Sequence, residues 1–212
     1  MPSSARGGDP VARVPTEGQA LIHLLALTAG RGLVVRGPLA GREHPYVLVR
    51  DWLGESPPLE RDRALAELAR RYLAGHGPAG ERDLARWAGL GLRDARAGLS
   101  AIGAELTERQ DGLVDLARRP PPAPLPEPRL LGAFDPLLLG WVSREPVLGP
   151  HRHVVTVNGL FRPFALVRGR AAATWRLSDG KVMLEPFGRL ARADRAALEE
   201  DAADVTRFLG IG

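Results

Sequence analysis

The chain has 212 residues, of which 44% are hydrophobic and 25% charged, and its formal net charge is +4. These values are ordinary for a globular protein of one large domain or two to three small ones. The sequence contains no cysteine, which excludes disulfides, thiolate nucleophiles and thiolate metal ligands.

No apolar run approaches the roughly 18 residues that a membrane span requires, and the first residues lack a secretory signal. We therefore expect a cytoplasmic protein without membrane contact. Of the 29 basic residues only Lys181 is not arginine. This usage is as typical of a GC-rich genome as of a nucleic-acid binder, so the position of the charge matters more than its sum. The largest basic excess lies in residues 129–190, with nine bases against four acids.

The first part of the chain predicts an incomplete winged helix at residues 16–58. Residues 1–15 show no hydrophobic period and predict a disordered leader. An apolar helix at 17–29 and two strand-like runs follow, and nothing before them predicts the two helices that normally precede. Leu21, Leu24, Leu25 and Thr28 are expected on one side of that helix. The hairpin between the strands is a predicted basic wing, with Arg36, Arg42 and His44. A linker is predicted at 51–60.

A complete winged helix-turn-helix is predicted at residues 59–118. Leu65, Leu68, Ala69, Tyr72 and Leu73 form an i, i+3, i+4, i+7, i+8 stripe, which is typical of an amphipathic helix. A short helix with Leu84, Trp87 and Ala88 follows, and Gly89 allows the tight bend into a third helix.

The third helix, at 92–104, is the predicted recognition helix. Its apolar positions leave Arg93, Arg96 and Ser100 pointing outward, toward a DNA major groove. Beyond it the period changes to about two, and the Asp111-Gly112 pair predicts a type I′ hairpin, the second wing, with Arg109 near its tip.

A proline-rich stretch at 119–128 predicts a stiff linker, and residues 129–212 predict a β-rich domain. Three strand-like runs, at 162–167, 170–177 and 181–186, predict an antiparallel meander. Arg168 and Arg170 flank its first turn and are candidate phosphate contacts. A terminal helix is expected to bury Leu198, Ala202, Val205, Phe208 and Leu209. The predicted fold class is therefore α+β.

Several runs in order resemble the bacterial winged helix DNA-binding domain family that includes the AlkZ-like DNA glycosylases. They are residues 64–73 with 77–79, Asp83-Leu84-Ala85-Arg86-Trp87-Ala88-Gly89-Leu90, Ala133-Phe134-Asp135-Pro136-Leu137-Leu138-Leu139-Gly140, Asn158-Gly159-Leu160-Phe161-Arg162-Pro163, and 169–176 with Thr174-Trp175-Arg176. The resemblance implies tandem winged helices followed by a β-rich domain. Such glycosylases excise bulky alkylated or crosslinked bases.

The resemblance also implies a catalytic Gln-hydrophobic-Gln or Gln-hydrophobic-Asp motif, which this sequence lacks. Its two glutamines are Gln19, followed by Ala20-Leu21, and Gln110, followed by Asp111-Gly112. We expect the chain to begin after the position of that motif, so no catalytic residue is assigned and the enzyme question stays open.

Other candidates have simpler alternatives. Asp135 is either a catalytic acid or, as we prefer, the cap of a turn with Pro136. His151 and His153 lack an obvious third metal ligand, so no metal and no cofactor are predicted. Trp87, Trp141 and Trp175 are expected in the core rather than stacked on an extruded base.

Three hypotheses follow from these patterns. The first is a double-stranded DNA-binding protein without catalysis, the second a DNA repair glycosylase, and the third a module that binds protein through its winged helices. The oligomeric state is not predicted.

Overall fold

The computed structural model describes residues 17–55 and 57–211, which form two compact units divided after Leu59. The predicted leader, residues 1–15, lies outside the described residues. None of the described helices is long and apolar enough to cross a membrane. Helices and antiparallel sheets occur together in the described chain, so the α+β prediction is confirmed.

The first unit contains one long helix and one hairpin. Helix α1 (Gly18–Gly30) leads into strands β1 (Val34–Arg36) and β2 (Tyr46–Leu48), which pair antiparallel. On α1, Leu21, Leu25 and Thr28 are half-buried as expected, whereas Leu24 is exposed.

The linker prediction at 51–60 is wrong over its first residues. Helix α2 (Val49–Leu53) includes Asp51, and it ends at Gly54, whose φ of +80° is a conformation that glycine adopts without strain.

The second unit begins with three helices and a hairpin in the predicted order. Helix α3 (Arg61–His76) buries Leu65, Ala69, Tyr72 and Leu73. Helix α4 (Glu81–Ala88) ends at Gly89, whose φ of +66° makes the predicted tight bend before α5 (Leu92–Ala101). A 3₁₀ turn at Gly103–Glu105 replaces the last residues of the predicted 92–104 helix. The three helices share one core, which includes Ala69, Tyr72, Leu73, Leu84, Ala95 and Ile102.

The hairpin pairs β3 (Leu106–Glu108) with β4 (Val114–Leu116). The predicted two-residue type I′ turn is wrong, because only Gly112 has a positive φ and Asp111 does not. Arg109 N donates to Leu113 O and Gly112 N donates to Arg109 O, so the tip has three residues and ends in a left-handed glycine.

The rest of the second unit is a four-stranded antiparallel sheet with helices on both faces. Its strands, in spatial order, are β5 (Arg129–Leu131), β6 (Phe164–Val167), β7 (Arg170–Ser178) and β8 (Lys181–Pro186). The predicted meander corresponds to β6, β7 and β8. Strand β5 was missed, because a three-residue strand just after a proline-rich run shows little alternation.

One face of this sheet packs on helix α8 (Arg192–Phe208), with Leu198 fully buried against Ala165, Val167 and Ala173. Asp201 accepts a hydrogen bond from the backbone N–H of Leu130 at 2.7 Å, which ties α8 to the sheet edge. The predicted burial of Phe208 and Leu209 is wrong. Phe208 is 89% exposed, because no described element covers the last turn of α8.

The other face packs on two short helices that sequence periodicity could not show, α6 (Pro136–Leu139) and α7 (Glu145–Leu148). Leu138, Leu148, Val154 and Phe164 form the core of this layer. Within the second unit, residues on both sides of the proline-rich segment also pack against each other. Tyr72 Oη donates to Gly140 O at 2.7 Å, and Trp141 Nε1 donates to His76 O at 2.9 Å.

Candidate nucleic-acid interface

Helix α5 presents an exposed polar face. Arg93, Arg96 and Ser100 are all exposed, while Ala95 and Gly98 on the opposite side are buried against the helical core. The spacing of three and four residues puts the exposed side chains on one side of the helix. The outward orientation predicted for these residues is therefore what the structure shows.

Two ion pairs set the charge of this face. Arg96 binds both carboxylate oxygens of Glu81, with Nε at 2.6 Å and Nη2 at 2.7 Å, and Asp94 accepts from Arg61 Nη2 at 2.7 Å. The hydrogen bond from Arg96 holds the pKa of Glu81 below its usual value, and Glu81 raises the pKa of Arg96 in turn. Glu81 and Asp94 are thus each paired with an arginine.

The side chains of Arg93 and Ser100 have no hydrogen-bond partner among the described residues. Arg93 is therefore the cation on this helix that can approach a polyanion without first giving up an intramolecular ion pair.

On the hairpin of the first unit, the three predicted residues differ in whether their side chains make internal contacts. Arg36 turns back across the hairpin: it donates to His44 O, and its guanidinium carbon lies 4.3 Å from the centre of the Tyr46 ring. Arg42 and the His44 side chain are exposed and make no side-chain hydrogen bond to the described residues.

Of the three remaining predicted arginines, two form ion pairs and one does not. Arg109 lies on the second hairpin and pairs with Asp111 at 3.4 Å, and Arg168 pairs with Asp194 at 3.1 Å. Arg170 is exposed, and no carboxylate of the described residues pairs with it.

Trp141 and Trp175 are half-buried, whereas the expectation that Trp87 lies in the core is wrong. Trp141 and Trp175 each donate Nε1 to a backbone carbonyl, those of His76 and Leu131. Trp87 packs beside Tyr72 and His76 at ring-centre distances of 5.1 and 5.3 Å and remains 41% exposed.

Asp135 and the histidine pair have ordinary structural contacts. Asp135 Oδ1 accepts from Leu137 N at 2.9 Å and so caps α6, which is the simpler of the two predicted roles. His151 stacks on Phe187 at 4.2 Å, and His153 meets the same ring edge-on at 5.0 Å. The described residues hold no group of three potential metal ligands.

Sequence reasoning missed Arg144, a half-buried arginine in the segment between α6 and α7. Its Nε donates to Leu138 O at 2.8 Å, and its guanidinium carbon lies 5.0 Å from the centre of the Phe161 ring. The only signal in the sequence was the basic excess of residues 129–190, which does not single out one arginine.

Comparison with known proteins gives the family. The family model described as DNA glycosylase AlkZ-like matches residues 7–208, so the chain belongs to the AlkZ-like DNA glycosylase family. A curated relative, an interstrand DNA cross-link repair glycosylase of Streptomyces sahachiroi, is 32% identical over 206 residues. The match covers 86% of this chain and 53% of that protein, so the chain spans about half the length of the curated relative it matches.

A solved structure agrees with this assignment. The Streptomyces sahachiroi DNA glycosylase AlkZ superposes with a TM-score of 0.72 at 26% sequence identity, covering 91% of this chain and 59% of that one. The resemblance drawn from the ordered sequence runs is thus confirmed.

Proposed function

We propose that this chain binds duplex DNA, as a module of a DNA-repair protein, through the exposed face of α5. In this proposal α3, α4, α5 and the β3/β4 hairpin form a winged helix-turn-helix, with α5 in the major groove and the hairpin on the backbone. Family membership supports a DNA partner. The name of the curated relative suggests repair of cross-linked DNA as the context.

The observation that carries the proposal is the charge arrangement around α5. Arg93 projects without an internal partner, and the two nearby carboxylates are neutralised by Arg61 and Arg96. A phosphate that approaches Arg93 therefore finds Glu81 and Asp94 already paired with arginines. Arg96 can contact DNA only by exchanging Glu81 for a phosphate or a base edge, so Arg93 is expected to contribute more to affinity.

The other predicted cations are assigned to the phosphate backbone. Arg42 and His44 on the first hairpin, and Arg170 on the sheet, are exposed and can contribute salt-dependent affinity without reading sequence. Arg36, Arg109 and Arg168 keep internal partners and are assigned weaker contributions.

The test is fluorescence anisotropy with a labelled duplex across a salt series. Native protein should bind at about 50 mM salt and lose affinity steeply as salt rises, with a slope of roughly 0.9 per phosphate contact. Arg93→Glu should weaken binding by at least about tenfold and reduce that slope by about one. Arg195→Glu is the charge-matched control, because Arg195 is exposed on α8 and makes no described ion pair.

Absence of binding by the native protein at low salt would refute the proposal. Equal losses in Arg93→Glu and Arg195→Glu would show that net charge, rather than the α5 face, determines affinity. Capture of a protein partner that survives Arg93→Glu, with no DNA binding, would instead favour the protein-binding hypothesis.

A second candidate function is base excision, which family membership favours. We propose that this chain by itself binds without catalysis, since neither glutamine fits the Gln-hydrophobic-Gln or Gln-hydrophobic-Asp pattern. The assay is release of a modified base from an alkylated or cross-linked duplex. Release by the native chain would overturn the non-catalytic assignment. Because Asp135 caps α6, Asp135→Asn is expected to leave any such release unchanged.

A further inference from the structure

A cleft of about 330 Å³ lies beside α7 in the second unit. Its apolar part is formed by Val142, Leu148 and Val155, and Ser143, Arg144 and Arg152 line it with polar groups. Its volume is at the lower end of the range for small-ligand sites. The Oγ of Ser143 accepts from Glu145 N at 3.3 Å, which leaves the hydroxyl proton available to donate.

Arg144 is held in this cleft by groups that do not neutralise its charge. Leu138 O accepts from Nε, and Phe161 lies against the guanidinium. Neither Nη1 nor Nη2 has a hydrogen-bond partner in the described part of the chain, and no described carboxylate lies within 4.0 Å. The two terminal nitrogens therefore present an unused pair of donors.

Other arginines raise the positive charge here instead of compensating it. Burial lowers the pKa of Arg144, and the charge of Arg86 lowers it further. Arg152 lines the same cleft, and Nη1 of Arg170 comes within 3.8 Å of the position that a Cβ on Gly149 would occupy. Glu145 also lines the cleft but pairs with none of these arginines.

This arrangement differs from that of Arg70, the other half-buried arginine among the described residues. Arg70 pairs with Glu67 and Glu105. A partly desolvated charge without a counterion costs free energy, so proteins normally pair it. An external anion would supply the missing partner.

We propose that this cleft is a phosphate site, in which the two terminal nitrogens of Arg144 bind one phosphodiester of DNA and Arg152 and Ser143 contact the same group. A planar guanidinium with two parallel donors matches phosphate oxygens bidentately. The proposal rests on the proposed DNA binding for the source of the phosphate, but it concerns a surface separate from α5.

The test compares Arg144→Gln, Arg144→Lys and Arg152→Gln with the control Arg176→Gln, in the full chain. Arg176 is exposed on β7 and pairs with Glu185, so its variant removes one positive charge away from the cleft. Arg144→Gln should weaken duplex binding roughly tenfold and lower the salt slope by about 0.9, as loss of one phosphate contact requires. Arg144→Lys should keep the slope, because the charge remains, and Arg176→Gln should change neither quantity.

A duplex with a single neutral methylphosphonate supplies the sharper test. When the methylphosphonate replaces successive phosphates along the backbone, it should weaken binding by the native protein at one position. At that same position it should not weaken binding by Arg144→Gln. Thermal unfolding reports whether the variants fold. Arg152 makes no side-chain hydrogen bond to the described chain, so Arg152→Gln tests the cleft even if Arg144→Gln is unstable.

A second arm uses inorganic phosphate, compared with chloride at equal ionic strength. If phosphate raises the melting temperature of the native chain but not of Arg144→Gln, while duplex binding is unaffected, the cleft is an anion site for free phosphate. Equal duplex binding and equal phosphate response in Arg144→Gln and Arg176→Gln would overturn the proposal. That result would not affect the α5 proposal. If the native protein does not bind duplex DNA but phosphate raises its melting temperature through Arg144, DNA binding is refuted and the anion site is retained.

Discussion

Replacement of Gly98 by alanine tests how closely α5 approaches α3. In the interior of an exposed helix this change normally stabilises by roughly 0.5–1 kcal/mol. Here a Cβ on Gly98 would lie 2.7 Å from Leu65 O and 3.4 Å from the Cβ of Ala69. The first of these atoms belongs to the backbone of α3, so relief requires the two helices to separate.

Overpacking of this kind costs typically 1–3 kcal/mol, which exceeds the gain in helix propensity. We expect Gly98→Ala to lower the free energy of unfolding by about 1–2 kcal/mol. For a cooperative unit of this size the melting temperature should fall by roughly 2–8 °C. Differential scanning calorimetry measures the change.

Gly75→Ala is the matched control, because Gly75 lies in α3 and a Cβ there would meet nothing within 4 Å. It should leave the melting temperature unchanged or raise it. An increase for Gly98→Ala as large as that for Gly75→Ala would show that α5 does not pack against the α3 backbone as described, and the assigned orientation of Arg93 would lose its basis.

Three further changes test the core and the charge of the interface. Tyr72→Phe should destabilise by about 1–3 kcal/mol in urea unfolding, because the carbonyl of Gly140 loses its donor in a buried setting, and an unchanged midpoint would contradict that hydrogen bond. Leu198→Ala should cost about 2–5 kcal/mol in the same assay, since the side chain is fully buried between α8 and the sheet. Glu81→Gln should leave stability nearly unchanged, because its pair is exposed, and should strengthen duplex binding several-fold at low salt by freeing Arg96; weaker binding would mean that Glu81 positions Arg96 for DNA.

Sequence periodicity was sufficient for the long elements and failed for the short ones. Helix α3 and the β7 strand are long enough for their apolar spacing to be read. Helices α6 and α7 have four residues each, about one turn, which is too short to show a 3.6-residue period. The burial of Phe208 was wrongly predicted because periodicity shows only which residues share a face. The apolar stripe continues through the last turn of α8 whether or not another element covers it.

Ion pairing within the candidate site could not be read from the sequence at all. Arg96 and Glu81 are 15 residues apart and meet only because α4 and α5 are packed together after the bend at Gly89. Sequence alone assigned Arg93 and Arg96 equal roles, and the structure separates them. For the same reason the sequence did not identify Arg144. That no described carboxylate pairs with it is visible only in the folded chain.

An aromatic cluster joins α3 to the segment between α6 and α7, which leads to the cleft. The His76 ring stacks on Tyr72 at 4.9 Å with an interplanar angle of 9°, and Trp141 meets it edge-on at 5.3 Å. Asp83 extends this contact, since one carboxylate oxygen accepts from Gly80 N at the start of α4 and the other accepts from Val142 N. Val142 is two residues before Arg144 and also lines the cleft, so this carboxylate is one link between the cleft and the start of α4. A duplex that contacts both α5 and the cleft would therefore meet two surfaces of the same compact unit.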